Sequence, residues 1–129
     1  MTATPDTRRA KALTDTVHRY LDLVATGTAE QLAALYADDA TVEDPVGGEV
    51  HIGRESIRRF YTAIENAERR CELVTLRVAG NEAAFVFTLT LTVGDHRMRI
   101  EPIDVMAFND DGRIAAMKAY WSPENVTQL

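Results

Sequence analysis

EAAFVFTLTLTV, residues Glu82–Val93, has the alternating pattern that decides the fold. Apolar side chains recur there at every second position, and threonines fill the positions between them: Phe85, Phe87, Leu89 and Leu91 against Thr88, Thr90 and Thr92. Successive side chains of a strand point to opposite faces of a sheet. The pattern therefore predicts a long strand with one apolar face and one polar face.

Turn signals on both sides of this strand predict an antiparallel meander. Short turn-forming stretches lie at Gly80-Asn81, Gly94-Asp95 and Asn109–Gly112. They separate four predicted strands, Glu72–Ala79, Glu82–Val93, His96–Phe108 and Arg113–Trp121. Pro102 cannot donate a ladder hydrogen bond, so we expect a bulge or a sheet edge at that position.

The part of the chain before these strands has helical periodicity. Apolar residues at helical spacing predict an amphipathic helix from about Thr7 to Ala25 and another from about Arg54 to Asn66. Thr28 opens a shorter helix, with Gln31 as its capping-box partner. A short strand is predicted at Ala40–Glu43. Helices followed by an antiparallel meander indicate an α+β fold, in which the helices cover the apolar face of a curved sheet.

Length and charge limit the possible functions. The chain has 129 residues and a formal net charge of −6, which fits a single domain over residues 1–129. The acidic balance argues against nucleic acid or an anionic membrane as the main partner. We find neither a signal-peptide pattern nor an apolar run long enough to span a membrane. Cys71 is the sole cysteine, and we expect a cytoplasmic protein.

Asp104 is the most informative polar residue. By strand alternation it shares a face with Ile100, Met106 and Phe108, which are all apolar. A carboxylate without a partner in such a row costs several kcal/mol in desolvation, so a raised pKa and a neutral acid are expected. The alternative is that this face meets solvent, or that Asp104 pairs with a distant arginine.

Three tyrosines and one further aspartate also stand out. Tyr20 and Tyr61 lie on apolar helix faces, and Tyr36 is a third candidate for the same cluster. They are either ordinary core tyrosines or phenols directed into a pocket. Asp44 precedes Pro45 at a strand end, where it is either a turn opener or a mobile carboxylate able to act as a general base.

No metal site is predicted from the sequence. The three histidines, at positions 18, 51 and 96, are scattered and lack partners at metal-ligand spacing. Motifs for nucleophilic catalysis or for cradling phosphate are missing as well.

Several long stretches make the chain similar to the bacterial ketosteroid isomerase family. They are HRYLDLV at His18–Val24, YADDATVEDPVG at Tyr36–Gly47, HIGRESIRRFY at His51–Tyr61 and IDVMAFNDDGRIAAMKAYWS at Ile103–Ser122. The similarity runs from about Thr16 to Val126. It leaves about the first ten residues as a poorly structured extension, and it implies a cone-shaped barrel of the nuclear transport factor and ketosteroid isomerase type.

The resemblance also implies a role for individual residues. Asp44 would be the general base, and Tyr20 and protonated Asp104 would form the oxyanion hole. Tyr36 and Tyr61 would support them. The walls of the steroid pocket would include Phe85, Phe87, Met117 and Trp121.

The implied activity is the conversion of a 3-oxo-Δ5-steroid into the conjugated Δ4 ketone by proton transfer from C4 to C6. Such an enzyme uses no cofactor and is typically a homodimer. Two alternatives share the fold, namely an enzyme of the epoxide hydrolase or polyketide cyclase type and a non-catalytic module that binds an apolar ligand.

Overall fold

The computed structural model describes residues 5–129 as three helices packed on one face of a curved, mostly antiparallel sheet. The helices are α1 (Pro5–Thr26), α2 (Ala29–Ala33) and α3 (Arg54–Glu65). The strands are β1 (Tyr36–Glu43), β2 (Val50–Ile52), β3 (Glu68–Ala79), β4 (Glu82–Val93), β5 (His96–Ile100), β6 (Ile103–Phe108), β7 (Ile114–Tyr120) and β8 (Val126–Gln128). A short 3₁₀ helix, Pro123–Asn125, precedes β8. This architecture confirms the predicted α+β class.

The first helix begins earlier than the sequence indicated. Its start at Pro5 places residues 5–10 in the helix, although they were expected to belong to a poorly structured extension. The Arg9 guanidinium donates to the carbonyl of Asn109 at 2.6 Å, which fastens this end of the helix to the loop between β6 and β7. The remainder of the expected extension, residues 1–4, lies outside the described part of the chain.

The capping box predicted at Thr28 is present. The backbone N–H of Gln31 donates to Thr28 Oγ1 at 3.1 Å, and the backbone N–H of Thr28 donates to Gln31 Oε1 at 3.0 Å. Two N–H groups that a helix start leaves without partners are thereby satisfied.

Strand β1 holds the start of α3 in place. Gly53, with a φ of 89°, caps the helix and donates its N–H to the carbonyl of Ala40 at 2.8 Å. The side chain of Arg54 donates to the carbonyl of Tyr36 at 2.6 Å and pairs with Asp38. These bonds fix the direction in which α3 presents Tyr61, one of its two fully buried residues.

The sheet is curved but not closed. Neighbouring strands follow the order β2-β1-β7-β6-β4-β5-β8, and β3 pairs with β4. The pairing of β1 with β7 is parallel, whereas the other pairs are antiparallel. Among residues 5–129 the two ends of this path, β2 and β8, are not joined, so the expected cone is an open sheet and not a full barrel.

The expected single strand His96–Phe108 is divided. β5 ends at Ile100 and β6 begins at Ile103, with Glu101 and Pro102 between them. The strand breaks here because proline has no backbone N–H to donate to the hydrogen-bonded ladder. As a result β4 pairs with β6 through its first half and with β5 through its second half.

Two three-residue strands, β2 and β8, were not predicted. They are too short to display alternation, and pairing with a neighbouring strand defines them. The strand predicted at Ala40–Glu43 begins four residues earlier, at Tyr36, and the one predicted at Glu72–Ala79 begins at Glu68. In β3 the charged residues Glu68, Arg69 and Arg70 open the strand and hide its apolar period, and in β1 the exposed pair Asp38 and Asp39 interrupts it.

The core lies between the helices and the concave face of the sheet. It contains the apolar row predicted on β4, with Phe85 and Phe87 almost fully buried. Within residues 5–129 no helix combines the length and the hydrophobicity needed to cross a lipid bilayer.

We expect Thr28→Ala to lower the free energy of unfolding by about 1 kcal/mol, because the backbone N–H of Gln31 loses its acceptor, Thr28 Oγ1. Urea denaturation followed by circular dichroism measures the change. The matched control is Thr26→Ala, since the Thr26 hydroxyl is exposed and bonds only the Asp22 carbonyl, and that variant should stay within about 0.5 kcal/mol of wild type. Equal effects of the two variants would contradict the assignment.

Candidate active site

Asp104 is buried in the apolar wall of the sheet. It pairs with Phe85 across β4 and β6, its side chain is 1 % exposed, and its Oδ1 has no hydrogen-bond partner. Burial raises the pKa of this carboxyl well above its usual range, and the charge of Asp44 raises it further. The neighbouring Tyr20 hydroxyl acts in the opposite direction through hydrogen bonding. Because no salt bridge within residues 5–129 involves Asp104, the neutral acid is the favoured form at neutral pH.

The three tyrosines form one hydrogen-bonded chain. The hydroxyl oxygens of Tyr36 and Tyr61 lie 2.6 Å apart, and those of Tyr61 and Tyr20 lie 3.3 Å apart. Burial raises the pKa of each phenol well above its ordinary value of 10.0, so all three stay protonated. The chain runs from β1 through α3 to α1, and Tyr20 is its end nearest Asp104.

Aromatic packing holds Tyr20 in place. Its ring makes edge contacts with Tyr61 and Phe85, at centroid distances of 6.5 and 6.2 Å. Edge-to-face geometry of this kind adds directional stabilisation to simple burial. The phenol of Tyr20 is therefore rigid, and its hydroxyl has a fixed position relative to Asp104.

Asp44 lies just past the end of β1 and is only partly buried. The indole Nε1–H of Trp121 donates to its Oδ1 at 2.7 Å. Burial raises the pKa of Asp44, while the Trp121 hydrogen bond and the charge of His51 act to lower it. The environment thus keeps Asp44 ionisable and makes it a stronger base than a free aspartate.

One pocket brings these groups together. Four polar side chains open onto it, those of Tyr20, Asp44, Tyr61 and Asp104. The rest of its lining is formed by Val24, Phe60, Ala63, Ile64, Phe87, Leu89, Leu91, Ile100, Pro102 and Trp121. No lysine, arginine or histidine belongs to the described lining, so two carboxyl groups share an apolar cavity without a cation.

The predicted wall residues fall into two groups. Phe87 and Trp121 line the pocket, as expected. Phe85 and Met117 do not line it, because both are buried in the core, Phe85 beneath Tyr20 and Met117 between β1 and β6. Tyr36 also lies behind the pocket and reaches it only through Tyr61.

Sequence reasoning missed most of the apolar lining. Leu89 and Leu91 belong to the predicted apolar row of β4, and alternation cannot distinguish a core position from a cavity wall. The hydrogen bond between Trp121 and Asp44 was also missed, since it joins residues 77 positions apart. Phe60 could have been predicted as a lining residue, because it lies on the predicted apolar face of α3.

The arrangement suits proton transfer next to a developing negative charge. Asp44 can accept a proton, and the neutral Asp104 and Tyr20 can each donate a hydrogen bond. Two carboxyl groups with different environments can hold the roles of base and acid at the same pH. Within residues 5–129 no three His, Cys, Asp or Glu side chains are grouped so as to hold a metal ion.

Comparison with known proteins agrees with this geometry. A profile of the SnoaL-like domain matches residues 17–117. The chain is 49% identical over 107 residues to "Steroid Delta-isomerase" from Nocardioides simplex, an alignment that covers 83% of this chain and 87% of that protein. The predicted family resemblance is confirmed by this relative.

A solved structure has the same fold. It is described as the epoxide hydrolase/cyclase-like enzyme SalBIII, with a role in pyran ring formation in the polyether salinomycin. The two chains superpose with a TM-score of 0.86 at 24% sequence identity, covering 92% of this chain and 97% of the other. At this identity the likeness concerns the fold alone. By its profile match and its 49% identical relative, the chain belongs to the SnoaL-like domain family and to the group of steroid Delta-isomerases within it.

Proposed function

We propose that this protein is a steroid Δ-isomerase that converts 3-oxo-Δ5-steroids into conjugated 3-oxo-Δ4-steroids. One observation carries the proposal: Asp44, Tyr20 and Asp104 open onto a single apolar pocket whose described lining holds no cation. The relative named steroid Delta-isomerase supports the same reaction.

Asp44 is the proposed general base. It takes a proton from C4 of the steroid, which lies between the carbonyl group and the alkene. Its position past the end of β1 lets one carboxylate serve first C4 and then C6 on the same face of the steroid. The Trp121 N–H keeps one carboxylate oxygen oriented and leaves the other for the substrate.

Tyr20 and neutral Asp104 are the proposed oxyanion hole. When C4 loses its proton, negative charge moves to the O3 oxygen and a dienolate forms. The two hydroxyl donors bond this oxygen in a cavity with apolar walls, where hydrogen bonds to a charge are stronger than in water. Donors of this kind contribute about 3–4 kcal/mol each to the stability of the transition state.

The return of the proton completes the reaction. Protonated Asp44 delivers its proton to C6, the double bond moves into conjugation with the carbonyl group, and the base is regenerated. The balance needs no metal, nucleotide or redox partner. Tyr36 and Tyr61 contribute by holding the Tyr20 hydroxyl through the chain of hydrogen bonds.

The two alternatives fit the pocket less well. A water-activating site of the epoxide hydrolase type would combine carboxylates with an arginine, and no arginine belongs to the described lining. A module that only binds an apolar ligand gains nothing from Asp104, because a buried unpartnered carboxyl costs stability.

We also infer a homodimer. Val74, Ile103 and Tyr120 are exposed apolar residues of the sheet, and none of them lines the pocket. Ile103 pairs with Tyr120 across β6 and β7, and with Val86 across β4 and β6, so the apolar surface is continuous across these strands. A second copy of this chain is the proposed cover for this surface.

The cytoplasm is the proposed compartment. The sole cysteine, Cys71, has no second cysteine within the chain to pair with. Burial raises the pKa of its thiol to about 12, which keeps it protonated and weakly reactive.

Asp44→Asn tests the base. Wild type should convert androst-5-ene-3,17-dione into its conjugated enone, followed by ultraviolet absorbance, and the variant should lose about 10²- to 10⁴-fold in kcat. The affinity for the conjugated product should change little. The control is Asp39→Asn on the same strand, where the side chain is exposed. Equal turnover by wild type and Asp44→Asn refutes the base assignment, and an inactive wild type refutes the function.

Tyr20→Phe and Asp104→Ala test the oxyanion hole. Each should lower kcat by about 10²- to 10³-fold and weaken substrate binding far less, because the charge on O3 forms mainly in the transition state. Steady-state kinetics separate the two effects. The control is Tyr120→Phe, which removes a hydroxyl from a tyrosine that does not line the pocket. A loss confined to KM would remove both residues from the oxyanion hole.

Trp121→Phe tests the environment of the base. Activity requires ionised Asp44, and burial raises the pKa of this carboxyl, so kcat/KM should fall as the pH is lowered through that raised value. The variant loses the N–H that stabilises the carboxylate. The pKa of Asp44 should therefore rise further, and the acidic limb of the pH profile should move to higher pH. An acidic limb at the wild-type position would show that the indole does not act on Asp44.

A further inference from the structure

His51 lies next to the catalytic pocket but does not line it. It occupies the middle of β2, a three-residue edge strand, and pairs with Val42 of β1 in antiparallel register. Val42 is fully buried, so this pair faces the interior. Asp44 follows Val42 by two residues, one position past the end of β1. His51 is therefore close enough to Asp44, across the end of the β1–β2 pairing, for its charge to act on that carboxylate.

The imidazole ring has a defined orientation. It packs against the ring of Phe60 at a centroid distance of 4.7 Å and an interplanar angle of 38°. Phe60 belongs to α3 and lines the pocket together with Asp44. The histidine is thus held between the end of β1 and the wall of the pocket, with the base on one side and an aromatic ring on the other.

We propose that His51 is a positioning residue for Asp44, which sets the strength of the base through the charge of its imidazole. The inference rests on the proposed function and adds a regulation of the same site by pH. The protonated ring stabilises the Asp44 carboxylate and weakens it as a base, and loss of the ring proton strengthens it.

The other charged groups of the neighbouring elements are engaged elsewhere or point away. On β1 and α3 they are Asp38, Asp39, Glu43, Arg54, Glu55, Arg58, Arg59 and Glu65. Arg54 pairs with Asp38, and Glu55 pairs with Arg58 and Arg59. The Glu43 carboxylate accepts the Gly47 N–H, and Glu65 accepts the Ala29 N–H. Asp39 is exposed, and on β2 itself Glu49 precedes the strand at an exposed position.

The electrostatic influence on Asp44 agrees with this geometry. Burial raises the pKa of Asp44, while the Trp121 hydrogen bond and the charge of His51 lower it. Histidine is the side chain that changes its charge between about pH 5 and 8.

This coupling has a consequence for the rate. At low pH the imidazolium keeps Asp44 ionised in conditions where a buried aspartate would take up a proton. At higher pH the ring is neutral, and the carboxylate binds the C4 proton more strongly. The rate of proton transfer rises with the strength of the base, so kcat should increase in a second step near neutral pH.

The test compares His51→Gln, which removes the charge, with His51→Phe, which removes the charge and keeps an aromatic ring against Phe60. His96→Gln is the control, because His96 is exposed in the hairpin between β4 and β5. The first readout is the ¹³C resonance of the Asp44 carboxyl as a function of pH, assigned with Asp44→Asn. It requires no enzymatic activity. The second readout is kcat/KM as a function of pH with androst-5-ene-3,17-dione.

We expect Asp44 to titrate at higher pH in both His51 variants than in wild type and His96→Gln. On the acidic limb of the profile, kcat/KM of His51→Gln should be lower than wild type by roughly three- to tenfold. The second inflection of the wild-type ¹³C titration and the second step in kcat should both disappear.

An Asp44 titration in His51→Gln that superimposes on wild type overturns the proposal. A wild-type titration in His51→Phe also overturns it, because the ring contact, and not the charge, would then be the cause. A protein without isomerase activity in which the ¹³C titration still depends on His51 refutes the proposed function and leaves the coupling established.

Discussion

The candidate site depends on the removal of Asp104 from water. An ionised carboxylate in an apolar wall costs several kcal/mol unless a cation accompanies it, and the described pocket supplies no cation. Protonation is the remaining way to lower that cost. A residue that would otherwise accept hydrogen bonds thereby becomes a donor, and Asp104 lines the pocket with one oxygen that has no partner. The same exclusion of water raises the pKa of the three phenols and keeps them protonated, so their hydroxyl groups remain hydrogen-bond donors.

The second carboxyl differs from the first in its surroundings more than in its chemistry. Asp44 stands beyond the end of β1, receives an indole N–H and faces a histidine, whereas Asp104 lies within the hydrogen-bonded ladder of β6. One acid is therefore kept ionisable, and the other is kept neutral. This asymmetry suits the proposed roles of base and hydrogen-bond donor in one cavity.

Sequence periodicity predicted the features that depend on local pattern. The apolar row of β4, the capping box at Thr28 and the position of Asp104 among apolar residues were all accessible in this way. Features that depend on long-range pairing were not. Among these are the parallel pairing of β1 with β7, the short strands β2 and β8, and the hydrogen bond between Trp121 and Asp44.

The division of the third predicted strand shows why the shape of the pocket escaped prediction. Pro102 indicated an interruption, but how the sheet bends there depends on which neighbours each half of β4 finds. Phe85 and Phe87 stand in the same row, yet the first is covered by Tyr20 and the second meets the cavity. That difference arises from the position of α1 above the sheet, which no pattern within β4 encodes.

The break at Pro102 also separates residues proposed for proton transfer from residues that only line the cavity. Asp44, residues 103–121 and the helices carry the groups proposed for chemistry, while Leu89, Leu91 and Ile100 line the cavity from the hairpin of β4 and β5. Substitutions in that hairpin alter the fit of a ligand and leave the proton-transfer groups untouched. Ligand preference in this fold can therefore diverge between related proteins without a change in the reaction they carry out.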